Sequence, residues 1–459
     1  MKEQINKILK SGDSVKDILS YWLPEMISNA MLISLPPIID SYIISSLEST
    51  TTYGTLGMVN NFLAFLIKLA EAIPVAAIAI MGRHNGAQEY EECGHDFGST
   101  FWTTTLIGLT FFFIIFFGSA PILQFMGLSP KMILQGLPFL RLKSMSVLLI
   151  FISLGFFAFM RAVKNTKAPM VIYMIGNIVF VLLDYTFVLG KFGVKQMGLD
   201  GSAYATIFQY IVMITIAFFY IINKKEYKKY FAQMFFNYFS KEKFLKIIKL
   251  SLPIMLDKGS LAGSYVLLAK AIAPLGKYAM ASYGCVRDLE RFAFLPAIGF
   301  ASVITFLVSN RLGAKDYDGA KNNIKKVMIL TAAMLAITLS ILCIYAEKFV
   351  QIFDHKNKFT NLAAPALVFI SILVVFDFVQ LILAGALRGA GDVTSVMKVR
   401  FFSCLLFFTP LVTLISHMNI ENQVLKFVLI YGSFYINNGI MGLFFLKRIK
   451  SAKWQHKEI

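Results

Sequence analysis

The sequence predicts an all-α integral membrane protein with about twelve transmembrane helices in two six-helix lobes. Three observations support this prediction. Hydrophobic residues make up 57% of the 459 residues and charged residues only 15%, which is too apolar for a soluble protein of this length. About twelve apolar runs reach the length of roughly 20 residues that spans a bilayer. Features of the first half of the chain also recur in the second half, which indicates a duplicated unit.

The apolar runs fall into two groups of six on either side of a basic segment. The first group lies at residues 22–46, 53–81, 97–120, 132–160, 168–189 and 199–222. The second group lies at residues 247–273, 278–308, 327–345, 361–387, 399–415 and 427–446. The expected segments are an amphipathic cytoplasmic N-terminus at 1–20, an N-lobe at 21–222, an amphipathic cytoplasmic linker at 223–246, a C-lobe at 247–446 and a cytoplasmic tail at 447–459.

Matching residues in the two halves lie at a nearly constant separation. The pairs are Gly86 with Gly313 and Arg161 with Arg388, each 227 residues apart, and Leu23-Pro24 with Leu252-Pro253, 229 residues apart. Because six spans is an even number, the two lobes should have the same orientation in the membrane. Parallel repeats of this kind are typical of proteins that work by alternating access.

The basic residues predict the orientation of the chain. Of the 44 Lys and Arg residues, 29 lie in the two terminal segments and in the loops expected on the same side of the membrane. The positive-inside rule then predicts a multi-pass protein of the plasma (inner) membrane with both termini cytoplasmic. Because topology explains the net charge of +18, we do not expect nucleic acid as a partner.

One carboxylate, Asp40, lies within the first apolar run, just after Pro36-Pro37. A charged side chain at the bilayer centre costs roughly 2.5 to 3.5 kcal/mol on insertion scales, so Asp40 is a candidate functional residue. Pro36 and Pro37 should bend the helix and free carbonyl oxygens beside the acid. Together these features favour a cation or proton site with a conformational element next to it. The alternative is that Asp40 only pairs with a basic group of the bundle.

A second carboxylate, Asp184, lies in the fifth apolar run and shares a helix face with Asn177. If this face meets Asp40, the N-lobe holds a polar pocket, and the hydroxyls of Ser202 and Thr206 in the sixth run could complete it. Oxygen ligands of this kind suit a hard cation such as Na⁺, or a proton.

The C-lobe has charges of both signs at membrane depth. Asp377 has no basic neighbour in its own run and is the best candidate there for binding a cation or a positively charged solute. Asp257 and Glu290 are further candidates for this site. Charges expected to form structural ion pairs are Arg287, Asp288 and Arg291 in the C-lobe, and Lys68 with Glu71 in the N-lobe.

Motifs of catalytic and nucleotide-binding proteins are missing from the sequence. It has no GxxxxGK[ST] loop, and the cluster Gly389-Ala390-Gly391 lacks the third glycine of a dinucleotide fingerprint. We therefore expect neither an enzyme nor a bound cofactor, apart from Na⁺ or H⁺ as a coupling ion. The only metal expected is a Na⁺ ion at Asp40 and Asp184. A channel is also disfavoured, because broken helices in duplicated halves are what alternating access needs.

Several short motifs occur in order along the chain. They are Ile39-Asp40; Pro74 with Gly86-Ala87; Arg161 with Pro169; Gly176-Asn177 with Leu183-Asp184; residues 198–206, GLDGSAYAT; Pro296 with Gly313-Ala314; and Asp377 to Gln380 with residues 385–389, GALRG. Together these motifs resemble those of the multidrug and toxic compound extrusion (MATE) family, with a mixture of NorM-like and DinF-like features. The resemblance covers nearly the whole chain.

The resemblance implies a V-shaped pair of six-helix lobes that alternates between inward-open and outward-open forms. Such a protein expels organic cations or drugs in exchange for inward Na⁺ or H⁺. We accordingly expect a monomer that lies in the lipid bilayer and binds amphipathic or cationic small molecules.

The resemblance also implies roles for individual residues. The cation site of relatives maps onto Asp40, Asp184 and Thr206. Relatives have an Asn four residues before the fifth-span Asp, where this chain has Phe180, so Asn177 is the candidate replacement. The tenth-span acid of the NorM-like branch maps onto Asp377.

A flippase for lipid-linked oligosaccharides or other lipids is the alternative function, since related folds do that work. A flippase would need a cationic cavity to hold phosphate groups. Lys68, Lys258 and Lys270 are available for that purpose.

Overall fold

The computed structural model describes residues 11–33, 35–47 and 49–457. Over these residues the chain is helical and contains no β-strand. The predicted amphipathic N-terminus at 1–20 falls partly on residues 1–10, which lie outside the described residues.

Sixteen α-helices follow one another along the described chain. Those of the first half are α1 (Val15–Ile33), α2 (Leu35–Ser45), α3 (Thr50–Ala70), α4 (Ala72–Gly86), α5 (Tyr90–Phe125), α6 (Pro130–Ala162), α7 (Lys167–Leu189) and α8 (Leu199–Asn223). Those of the second half are α9 (Lys241–Ile272), α10 (Lys277–Gly313), α11 (Tyr317–Ile344), α12 (Ala346–Gln351), α13 (Thr360–Gly389), α14 (Val393–Ser403), α15 (Thr409–His417) and α16 (Gln423–Lys450). A π-helical turn, Cys404–Phe408, joins α14 to α15.

The chain divides into two compact units. The first unit comprises Leu23–Ser251, and the second comprises Leu252 onward together with the described residues up to Trp22. In the first unit α6 packs against α5 and α8, and α7 packs against α8 and α2. In the second unit α13 packs against α10 and α16.

Eleven helical segments in the described chain are long and apolar enough to cross a membrane. Six of them lie in the first half, where α1 with α2 and α3 with α4 each count as one segment. Five lie in the second half. The seventh predicted span, 247–273, is present as the helix α9, but α9 is too polar to be counted among the eleven, since it contains Asp257, Lys258 and Lys270. The predicted all-α membrane fold is confirmed.

The segment between the two groups of spans packs on the first unit. It forms two 3₁₀ helices, Lys225–Tyr230 and Ala232–Asn237, which contact α5. Gly94 of α5 makes this contact possible, because a Cβ atom there would lie 1.7 Å from the carbonyl oxygen of Tyr230. Phe235 is fully buried beside Phe97 and Phe101, with ring centroids 4.9 and 4.8 Å apart. The linker is therefore docked through aromatic side chains.

The start of the described chain is anchored within the second unit. Asp13 accepts hydrogen bonds from Arg311 Nε at 2.9 Å and from Asn323 Nδ2 at 2.7 Å. Trp22, at the end of this segment, stacks on Phe300 with ring centroids 4.9 Å apart and donates to the carbonyl oxygen of Pro296. The described residues up to Trp22 thus belong to the second unit.

Substituting Gly94 by Ala should undock the linker. The added methyl group has no space against Tyr230, so we expect a loss of on the order of 1–3 kcal/mol and faster hydrogen exchange over residues 223–240. Thermal unfolding of the purified protein in detergent and hydrogen exchange measure the two effects. Gly57→Ala is the matched control, because nothing lies within 4 Å of a Cβ atom at that helical position. Equal stability and exchange in the two variants would contradict the docking contact.

Candidate functional site

Asp40 points into the first unit from the short helix α2. Its side chain is buried together with Ile43 and Ile44, and Asp40 is only 3% exposed. The opposite face of α2, with Pro37, lines an open cleft. Pro36 and Pro37 lie in the first turn of α2, which begins at Leu35, where a missing N–H group costs no helical hydrogen bond.

The Asp40 carboxylate has few hydrogen-bond partners. Asn60 Nδ2 of α3 donates to Asp40 Oδ2 at 3.5 Å, and Asp40 Oδ1 has no hydrogen-bond partner among the described residues. Asp184, on α7, is fully buried, and neither of its carboxylate oxygens has a hydrogen-bond partner within the described chain. The negative charges of Asp40 and Asp184 act on each other. The structure therefore brings the two predicted acids together.

A lysine that the sequence interpretation did not single out completes this group. Lys143, on α6, is 6% exposed, and its Nζ donates to Thr206 Oγ1 at 2.8 Å. Its positive charge interacts with the negative charges of Asp40 and Asp184. We call Asp40, Asp184, Lys143 and Thr206 the first-unit pocket. The sequence feature that could have identified Lys143 is its position as a lysine well inside the apolar run 132–160.

The other two predicted members of the pocket have different contacts. Asn177 Nδ2 donates to the carbonyl oxygens of Met31 at 3.2 Å and Tyr173 at 2.9 Å, so its amide ties α7 to α1. No hydrogen bond between Asn177 and either acid is seen in the described residues. The Ser202 carbonyl oxygen accepts a hydrogen bond from the Thr206 hydroxyl at 2.9 Å, and the Ser202 side chain is buried. A role for Asn177 or Ser202 in binding a cation stays a prediction.

In the second unit, Asp257 departs from the predicted open cation site. Its carboxylate, 1% exposed, forms ion pairs with Arg388 and with Arg400. Two guanidinium groups already neutralise this acid, so the arrangement is a structural ion-pair cluster.

Glu290 and Asp377 have neutral hydrogen-bond partners where Asp257 has guanidinium groups. Tyr431 and Tyr435, both on α16, donate to Glu290 Oε2, the second at 3.0 Å. Asn438, also on α16, donates to Asp377 Oδ1 at 2.8 Å. Glu290 Oε1 is buried with no hydrogen-bond partner in the described structure. We call these five residues the second-unit pocket.

The sequence interpretation missed the three α16 side chains of this pocket. Tyr431, Tyr435 and Asn438 follow at helical spacing, which places them on one face. This shared helix face is the sequence feature that could have identified them.

The predicted pair of Lys68 and Glu71 is present, with 2.9 Å between Nζ and Oε1. Arg287 Nε and Asp288 Oδ1 are 3.7 Å apart and both side chains are about 40% exposed, so this pair lies outside the second-unit pocket.

The two arginines that mark the sequence repeat have the same kind of partner. Arg161 Nε lies 2.8 Å from Oε1 of Glu25, which is fully buried on α1. Arg388 pairs with Asp257 on α9. In each unit, the arginine at the end of the fourth long segment thus neutralises an acid on the first.

Comparisons with known proteins agree with this layout. The MatE family model matches residues 24–186 and again residues 253–413, which is more than half of the chain. The sequence is 26% identical over 248 residues to the multidrug resistance protein NorM of Vibrio cholerae serotype O1, and the match spans only about half of each chain, 54%. It is 20% identical over 412 residues to the probable multidrug resistance protein YoeA of Bacillus subtilis, covering 89% of this chain and 88% of that one.

The fold is also that of a solved transporter. A crystal structure of MATE in the bent conformation superposes with a TM-score of 0.85 at 16% sequence identity, over 97% of this chain and 98% of that one. At this identity the likeness shows the fold alone.

Replacing Arg161 by Met should strongly destabilise the first unit. The substitution leaves the carboxylate of Glu25 buried without its counter-charge, which typically costs about 3–5 kcal/mol. The double variant Glu25→Leu with Arg161→Met should recover most of the lost stability, because it removes both charges. Thermal unfolding of the four combinations measures the coupling between the two residues. Additive losses in the double variant would show that the pair is not an energetic unit.

Proposed function

Because this chain belongs to the MATE family, we propose that it is a secondary active efflux transporter that expels organic cations or drugs in exchange for Na⁺ or H⁺. The observation that carries the proposal is that each unit encloses two acids that form no ion pair within the described residues, Asp40 with Asp184 and Glu290 with Asp377. Carboxylates at membrane depth are expensive and are typical of ion and substrate pathways. The relatives named for multidrug resistance support the same class of substrate.

Exchange requires that the ion and the substrate favour different states of the protein. We infer that α2 is the responding element, because it holds Asp40 and has the proline pair in its first turn, close to the end of α1. Neutralising Asp40 by a cation or a proton would remove its repulsion with Asp184. Because α2 packs against α7, a change in α2 would also act on the other helices of the first unit.

The second-unit pocket suits an organic cation. Two acids supply negative charge, and the rings of Tyr431 and Tyr435 supply aromatic surface beside Glu290. Aromatic faces attract ammonium groups, by about 0.5 to 2 kcal/mol depending on desolvation. We propose that Glu290 and Asp377 are the residues that bind substrate or a second cation. We assign no substrate-binding role to Asp257, because Arg388 and Arg400 already neutralise its charge.

The chain is a multi-pass membrane protein. We propose that both termini are cytoplasmic and that the protein works as a monomer in the plasma (inner) membrane. The distribution of Lys and Arg supports this orientation. No resident cofactor enters the proposal, and the coupling ion is a transported species.

The flippase alternative has less support. Of the three lysines that it would use, Lys68 lies 2.9 Å from Glu71. The two pockets described above are dominated by carboxylates, which repel phosphate groups. Binding of a lipid-linked pyrophosphate without a response to organic cations would favour the flippase.

Replacing Asp40 by Asn should abolish active efflux while leaving the fold intact, because the amide has nearly the same shape but cannot change its charge. Counter-transport of a fluorescent organic cation in proteoliposomes, with Na⁺ and H⁺ gradients imposed separately, measures the effect. Thermal unfolding provides the control for folding. Efflux at the wild-type rate in the variant would refute the assignment of Asp40.

Replacing Glu290 by Gln together with Asp377 by Asn should weaken binding of an organic cation about tenfold or more, since a charge-assisted contact contributes about 1.5–3 kcal/mol. Fluorescence anisotropy of a cationic dye with the purified protein gives the affinity. Asp288→Asn is the matched control on the same helix, because that side chain is 42% exposed. Unchanged affinity in the double variant would place the substrate elsewhere.

A further inference from the structure

The first-unit pocket contains a positive charge of its own. Lys143 is buried, and its ammonium group contacts Thr206 Oγ1 at 2.8 Å and lies 5.4 Å from the ring centroid of the fully buried Phe139. A charge at this depth is stable only when other groups compensate it. The compensating charges are those of Asp40 and Asp184, with which Lys143 interacts electrostatically.

Thr206 holds the ammonium group in a defined place. Its hydroxyl donates to the carbonyl oxygen of Ser202 at 2.9 Å, which leaves the oxygen lone pairs to accept the hydrogen bond from Lys143. The carboxylate oxygens of Asp184 have no hydrogen-bond partner among the described residues. The Lys143 charge thus interacts with both acids, while its hydrogen bond goes to the Thr206 hydroxyl.

This arrangement does not fit a Na⁺ ion. Sodium is a hard cation that needs several oxygen ligands with free lone pairs. Asp40 and Asp184 have such oxygens, but the Thr206 oxygen already accepts a hydrogen bond from the Lys143 ammonium group. A sodium ion among these oxygens would also lie close to the positive charge of Lys143. Two like charges inside a protein repel each other more strongly than they do in water, because the effective dielectric constant is lower.

We propose that Lys143 is the built-in counter-cation of the first-unit pocket and that it excludes Na⁺ from this pocket. Lys143 would then determine which ion the pocket accepts, a role that the sequence did not suggest for it. The inference rests on the proposed function in one respect only, that the pocket is where a coupling ion would bind. Exclusion of Na⁺ is itself a binding property and can be measured without transport.

The experiment compares Na⁺ binding by purified full-length variants in which Glu290→Gln and Asp377→Asn have silenced the second-unit pocket. The measurements are ²²Na⁺ binding and thermal stabilisation by Na⁺, with K⁺ keeping the ionic strength constant. With Lys143 present, we expect no Na⁺-specific signal. Lys143→Met should raise the Na⁺ affinity about tenfold or more, and adding Asp40→Asn should abolish the gain. Lys143→Arg should stay unresponsive, because it keeps the charge.

Lys270→Met is the matched control, since Lys270 is an exposed lysine of α9, and it should confer no Na⁺ binding. The proposal is overturned if the protein with Lys143 binds Na⁺ and Asp40→Asn removes that binding. This outcome needs no Lys143 variant, so it remains decisive if Lys143→Met does not fold. It is also overturned if a folded Lys143→Met protein gains no affinity. Absence of counter-transport in proteoliposomes would refute the proposed function and leave these binding results standing.

Discussion

The pairing of buried charge within each unit is the constraint on which this structure depends. A carboxylate or a guanidinium group inside an apolar helix bundle costs several kcal/mol unless a partner compensates it. The first unit meets this demand with Glu25 and Arg161. The second unit meets it with Asp257, Arg388 and Arg400. These clusters tie the first long helix of each unit to the fourth, so they hold the helices that surround the pockets.

Against this background the unpaired acids are informative. Asp40 and Asp184 have few hydrogen-bond donors around them, and Glu290 receives its hydrogen bonds from neutral phenol groups. Lys143 is the compensating charge near Asp40 and Asp184, and Glu290 and Asp377 lie in no ion pair among the described residues. These features are the basis for proposing reversible binding of a positive charge. Because each unit has its own acids, ion and substrate need not compete for one pocket. Coupling can then proceed through the helices that both ligands bias.

The sequence predicted those features that depend on one helix at a time. Hydropathy located the spans, and Asp40 and Asp184 stood out because carboxylates are rare in apolar runs. Pairings between helices were not predictable in the same way. Glu25 and Lys143 were passed over because their partners lie 136 and 63 residues away. Asn177 was correctly placed on a buried face, but its amide reaches the backbone of α1, a contact that helical periodicity cannot reveal.

The sequence repeat relates the arginines of the two structural ion pairs, and it does not relate the acids of the two pockets. Helices α6 and α13 correspond through Arg161 and Arg388, 227 residues apart, and both arginines keep an acidic partner. In the same register Lys143 corresponds to Ile370, and Asp377 to Ile150. The arginines of the two ion pairs therefore lie at equivalent positions, and their acids, Glu25 and Asp257, lie about one helical turn out of that register. The acids of the two pockets lie at positions that do not correspond. A duplicated bundle with two unlike pockets can assign the ion to one unit and the organic cation to the other, which two identical pockets could not do.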